Sequence, residues 1–117
     1  MDDLTPVIAL VVEDDELQRE ALSSMLKDQN MDVIECESAE AAELIISRNG
    51  AELGVLVTDV KLKGFGNGIE LAHYAKRMFP TLNVVVISGT NAALLPPGVH
   101  FLQKPFRTDQ LMRVVRS

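Results

Sequence analysis

Four short strand-length runs in this chain, three of them continuously apolar, each stop at a residue able to handle charge. Val7 to Val12 ends on Glu13-Asp14, Leu53 to Val57 leads through Thr58 to Asp59, Val84 to Ile87 ends on Ser88-Gly89-Thr90, and Val99 to Gln103 ends on Lys104. Carboxylates crowded into one crevice raise one another's pKa unless a cation neutralises them. A hard divalent ion does this best: Mg²⁺ takes one or two carboxylates, keeps several waters and shares a phosphate oxygen. A carboxylate held beside such an ion can attack a phosphoryl group and become an aspartyl phosphate. The three phosphoryl oxygens then need cover, which the ion, the Ser88 hydroxyl or a loop amide, and the Lys104 ammonium can divide among them.

These residues can meet only if the runs are neighbouring strands that end on the same side. The runs are rich in Val and Ile and too short for helices, as expected of strands buried on both faces. Met31 to Glu35 reads as one further short strand. Between the strands the pattern turns helical. Leu17, Ala21, Leu22, Met25 and Leu26 form an amphipathic stripe ending near Asn30, with Gln18, Arg19, Glu20 and Lys27 on its polar side. Ser38 is the expected N-cap of an Ala-rich helix that stops at Asn49-Gly50, with Gly50 expected to supply a left-handed turn. Ile69 to Met78 is a third helix, closed by Pro80, and Thr108 is the expected N-cap of a last helix carrying Leu111, Val114 and Val115 inward. Strand and helix thus alternate about five times, which implies a mostly parallel sheet with helices on both faces. In such a sheet ligands bind outside the carboxyl ends of the strands, where the four polar stops lie.

Composition bounds the function. A chain of 117 residues with 47% hydrophobic residues closes one core and has no room for a second domain. A net charge of −6 gives no general attraction to nucleic acid or to an anionic membrane. The lone Cys36 allows neither an internal disulfide nor a cysteine zinc site, in keeping with a reducing cytosol. No apolar run reaches membrane-spanning length, and the acidic Met1-Asp2-Asp3 start has the wrong sign for a signal peptide, so a cytoplasmic location is expected.

At Val11-Val12-Glu13-Asp14, Val57-Thr58-Asp59, Ile87-Ser88-Gly89 and Lys104-Pro105-Phe106 the chain resembles the receiver domains of two-component response regulators, over nearly its whole length. The resemblance implies a flavodoxin-like, doubly wound α/β fold with a five-stranded parallel sheet in the order 2-1-3-4-5, and a single receiver domain over residues 1–117 with no output domain. It makes Asp59 the phosphoacceptor, Asp14 a direct Mg²⁺ ligand, Glu13 a ligand through water, and Lys61 the donor of a backbone carbonyl to the metal, with Mn²⁺ as an alternative occupant. Ser88 and Lys104 would bind phosphoryl oxygens, and Phe101 would change rotamer with Ser88 on activation. A cis bond between Lys104 and Pro105 is also implied. The phosphodonor would be a histidine kinase or a histidine phosphotransfer protein, and the domain, not an enzyme beyond its own phosphorylation and dephosphorylation, would signal through protein contacts.

Two departures stand out from the family pattern. Lys63 occupies the position where most receivers carry a proline, and the following glycine, Gly68, comes one residue later than usual. Only fifteen residues separate Ser88 from Lys104, so the fourth helix is expected to be shortened or lost, as in a subgroup of stand-alone and hybrid-kinase receivers. A receiver acting by constitutive contacts without phosphorylation is the alternative, against which the full set Glu13, Asp14, Asp59, Ser88 and Lys104 argues. An aspartate-based phosphatase would need an acid two residues after the nucleophile, where Lys61 stands. Asp15 and Glu16 read as solvated acids at a helix start, and His73 and His100 as surface or packing residues.

Overall fold

The apolar runs become a parallel sheet because each is covered on both faces. The computed structural model describes residues 5–64, 66–90 and 95–117. Along the chain lie β1 (Ile8–Val12), α1 (Glu16–Lys27), β2 (Asp32–Cys36), α2 (Ala39–Asn49), β3 (Val55–Asp59), α3 (Gly68–Met78), β4 (Asn83–Ser88), β5 (Val99–Gln103) and α4 (Thr108–Val115). The five strands pair in the order β2-β1-β3-β4-β5, every pairing parallel, which is the flavodoxin-like arrangement expected.

Alternate residues of the same strands feed two separate cores, as the two-residue period of a strand requires. Val11, Val57, Val85 and Ile87 point to the side covered by α1 and α4, where Leu22, Leu26, Leu111 and Val115 are buried. Leu10, Leu56, Val84 and Val86 point to the other side, against Ile46 of α2 and Leu71 of α3. The small residues Ala39, Ala42, Ala72 and Ala75 let α2 and α3 lie close to the sheet. Asn83 ties the lower end of β4 to α4, its side-chain amide donating to the carbonyls of Val114 and Val115 at 3.0 and 2.7 Å.

Register sets the position of the functional ends. Val12 lies opposite Thr58, so Glu13 and Asp59 follow from adjacent strands side by side. Asp59 lies opposite Ile87, and Ser88 opposite Gln103, which brings Lys104 to the same rim.

Two expectations about helix ends are corrected. Gly50 is right-handed, with φ −57°, and opens a short 3-10 turn (Gly50–Glu52) in place of a left-handed cap. A Cβ there would lie 2.1 Å from Phe79 Cε2, so the glycine serves ring packing and not backbone handedness. Among the described residues the non-glycine residue with positive φ is Asn30, φ 67°, after α1. At α4 the N-cap is Arg107, and Thr108 is the first helical residue. The Gln110 side-chain oxygen accepts from Arg107 N at 2.8 Å and satisfies that end. Ser38 does cap α2, accepting from Ala41 N at 3.1 Å. Between β4 and β5 the described residues, Gly89, Thr90 and 95–98, carry no helix. The remainder of that expectation, Asn91 to Leu94, lies outside the described residues.

Candidate functional site

Three of the sequence-predicted residues meet directly at the rim of the sheet. Lys104 Nζ lies 2.6 Å from Asp59 Oδ2 and 3.6 Å from Glu13 Oε1. The other Asp59 oxygen, Oδ1, accepts from Lys61 N at 3.3 Å. Glu13 is 4% exposed, and its Oε2 accepts from Asp15 N at 3.0 Å. Asp14, next along, is half-buried at the end of β1.

The electrostatics follow from this packing. Burial, aided by the neighbouring Asp59 carboxyl, pushes the Glu13 carboxyl from 4.5 up to about 7. Burial alone would also raise Asp59, but the hydrogen bond from Lys104, then that from Glu13, outweighs it and holds Asp59 below the usual carboxylate range. Asp59 therefore carries its charge in a half-dry crevice, the state a carboxylate nucleophile requires.

Ser88 is buried. Its Oγ accepts from Thr90 N at 3.1 Å and lies 3.2 Å from Thr90 Oγ1, where either hydroxyl can donate. Lys104 N donates to the Ser88 carbonyl at 2.8 Å, so the hydroxyl and the lysine are tied at the backbone. Phe101 is half-buried on β5 and pairs in register with Val86, two residues before Ser88. The Lys104–Pro105 bond is cis. Cys36 takes no part: burial pushes its thiol up to about 11.

Several neighbours of the site look in the sequence only like polar-face or loop residues. Gln18 Oε1 accepts from Lys104 Nζ at 2.7 Å, and Arg19 donates to the Glu13 carbonyl at 2.9 Å while pairing with Glu35 at 3.4 Å. Their signal is position, one turn past the acids on the helix that starts over the strand ends. Gly68 packs against the backbone at the end of β3. A Cβ there would lie 1.9 Å from the Asp59 carbonyl oxygen, and Gly68 N donates to Val60 O at 2.8 Å. Its later position in the longer loop still places a glycine where only a glycine fits.

The oxygen donors suit a Mg²⁺-type ion. Among the described residues no three His, Cys, Asp or Glu side chains converge as a closed metal cage. Mg²⁺ needs less, one or two carboxylates with carbonyl and water oxygens. Glu13 and Asp59 share the crevice with the single Lys104 ammonium, and a divalent ion there would favour the charged form of both carboxyls.

Doubly wound order, paired acids at the central strand ends and a lysine across from them define a receiver. The chain belongs to the response regulator receiver domain family, whose model matches residues 9–116. It is 28% identical over 123 residues to the response regulator protein TodT of Pseudomonas putida, covering 100% of this chain and 52% of that protein. It is 30% identical over 117 residues to nodulation protein W of Bradyrhizobium diazoefficiens, covering 95% of this chain and 50% of that one. The chain thus spans about half the length of these curated relatives. Among solved structures, a response regulator receiver protein from Sinorhizobium medicae superposes with a TM-score of 0.87 at 28% identity, over 97% of this chain and 94% of that one. Among the described residues no helix is long and apolar enough to cross a membrane.

Proposed function

We propose that this receiver is a phosphorylation-driven switch of a cytoplasmic two-component or phosphorelay system, with Asp59 as the acceptor. The observation that carries the reading is the Lys104–Asp59 contact of 2.6 Å, beside a buried Glu13. An Asp59 oxygen attacks the phosphorus of a phosphohistidine on a histidine kinase or histidine phosphotransfer protein. The P–N bond breaks, its electron pair leaves with the imidazole nitrogen, and an aspartyl phosphate forms. Water later cleaves the acyl phosphate and restores the carboxylate.

Each residue has a task in that transfer. Lys104 turns its ammonium from Asp59 to a phosphoryl oxygen, and the Ser88 hydroxyl donates to another. Glu13, Asp14, Asp59 and the Lys61 carbonyl would hold Mg²⁺, or Mn²⁺, which when bound neutralises charge on the carboxylates and the transferring group. Ser88 drawn toward the phosphoryl group breaks its bonds with Thr90, and Phe101, on the neighbouring strand and the same face, turns to follow. That rearrangement alters the protein contacts made by the β4–β5 side.

Incubating the protein with Mg²⁺ and acetyl phosphate, and reading the mass of the intact chain, tests the proposal. One phosphoryl group is expected on wild type and none on Asp59→Asn. Equal labelling of the two proteins would remove Asp59 from this role.

A further inference from the structure

Lys104 has three N–H donors and, among the described residues, three side-chain acceptors around it: Asp59 Oδ2 at 2.6 Å, Gln18 Oε1 at 2.7 Å and Glu13 Oε1 at 3.6 Å. Two are carboxylates whose charge the proposed chemistry consumes or engages. The third is neutral and comes from a different element, α1. We propose that Gln18 is a positioning residue that holds the Lys104 ammonium at the mouth of the crevice, where it can meet a phosphoryl oxygen; this rests on the reading of Asp59 as acceptor.

The geometry gives Gln18 a fixed base from which to act. Its own backbone N donates to Asp15 Oδ1 at 2.9 Å, the N-cap bond of α1. The next residue, Arg19, anchors the same turn by donating to the Glu13 carbonyl at 2.9 Å and pairing with Glu35 at 3.4 Å. The first turn of α1 is therefore tied to the ends of β1 and β2 before the Gln18 amide reaches across to the lysine that follows β5. Phosphorylation takes Asp59 away as a charged partner. Without Gln18 the remaining pull on the ammonium is toward Glu13, deeper in the crevice and away from the incoming oxygens. The neutral amide from α1 competes with that pull without adding charge that would repel a phosphoryl group.

Gln18 and Lys104 should therefore act as a unit, and a double-mutant cycle isolates such a pair. The affinity for beryllofluoride in the presence of Mg²⁺ is measured by amide NMR on wild type, Gln18→Leu, Lys104→Met and the double variant, with Mg²⁺ alone titrated in parallel. Gln18→Met serves if the Leu variant does not fold. Loss of one such bond is expected to weaken beryllofluoride binding roughly 3- to 10-fold. The midpoint for Mg²⁺ alone should not move, and the change at position 18 should add nothing once Lys104 is Met. An unchanged affinity in Gln18→Leu overturns the inference. So does an equal loss in the Lys104→Met background, or a Mg²⁺ midpoint displaced by the same factor, since either means that the residue acts by another route. A wild-type protein that binds no beryllofluoride would refute the acceptor reading itself, an outcome distinct from a wild type that binds and a variant that binds equally well.

Discussion

Lys104, just past β5, and Asp59, at the end of β3, touch at 2.6 Å although β4 separates the two strands. The lysine side chain spans the end of the intervening strand, and this bridge is what holds Asp59 ionised against the cost of its burial. Replacing Lys104 by Met should raise the Asp59 carboxyl and slow its phosphorylation by acetyl phosphate by roughly 10²-fold, the usual consequence of losing one preorganised charge at a transferring group. The carboxyl carbon chemical shift of Asp59 followed through a pH titration, with phosphorylation rates alongside, checks both effects.

Glu13 predicts a pH dependence of stability in metal-free buffer. Its folded pKa of about 7 lies above the 4.5 of an ordinary carboxyl, so the folded state holds this proton more tightly than the unfolded one. Stability from this group is full below 4.5 and is lost as pH rises toward and past 7, by on the order of 3 kcal/mol. Asp59 works in the opposite sense, its contribution being lost only as pH falls below 3.8. Urea denaturation should show stability declining over that upper window in wild type and a flatter profile in Glu13→Gln. Added Mg²⁺ should restore stability most at the high-pH end.

Gly68→Ala should be far more damaging than an alanine at Gly89. A methyl at 68 meets the Asp59 carbonyl oxygen at 1.9 Å and Val60 Cα at 3.0 Å, both backbone atoms that cannot turn aside. A loss of about 3 kcal/mol, with weaker phosphorylation, is expected. At Gly89 a Cβ finds nothing within 4 Å, so Gly89→Ala should stay within about 0.5 kcal/mol of wild type. Chemical denaturation of the two variants makes the comparison.

Ser88→Ala removes the acceptor of Thr90 N and the hydroxyl that the proposed function directs to the phosphoryl group. Stability should fall by about 1 kcal/mol, while phosphorylation slows by roughly 10-fold or more. Ser88→Thr keeps the hydroxyl and should retain most of the rate. The ring resonances of Phe101 before and after beryllofluoride addition report the proposed switch; a ring that does not respond in wild type would remove Phe101 from it.

Much of this protein is legible in its linear order. Short, β-branched apolar runs such as Leu10 to Val12 and Val84 to Ile87 read as strands covered on both faces, and the stops at Glu13, Asp59, Ser88 and Lys104 mark the rim, because a parallel sheet brings such ends together. Local chemistry also identified the Ser38 cap. Long-range packing decided the rest. Gly50 and Gly68 look alike as punctuation, yet one makes room for the Phe79 ring and the other for the Asp59 backbone, neighbours that exist only after the helices dock. Gln18 and Arg19 look like any polar face of an amphipathic helix, and only the placement of α1 over the strand ends turns them toward Lys104 and the Glu13 carbonyl. Residue types and spacing determined which groups would share the rim. The distances between them, and so the ionisation of Asp59 and the proton affinity of Glu13, were decided by burial and by contacts across the sheet that no local pattern encodes.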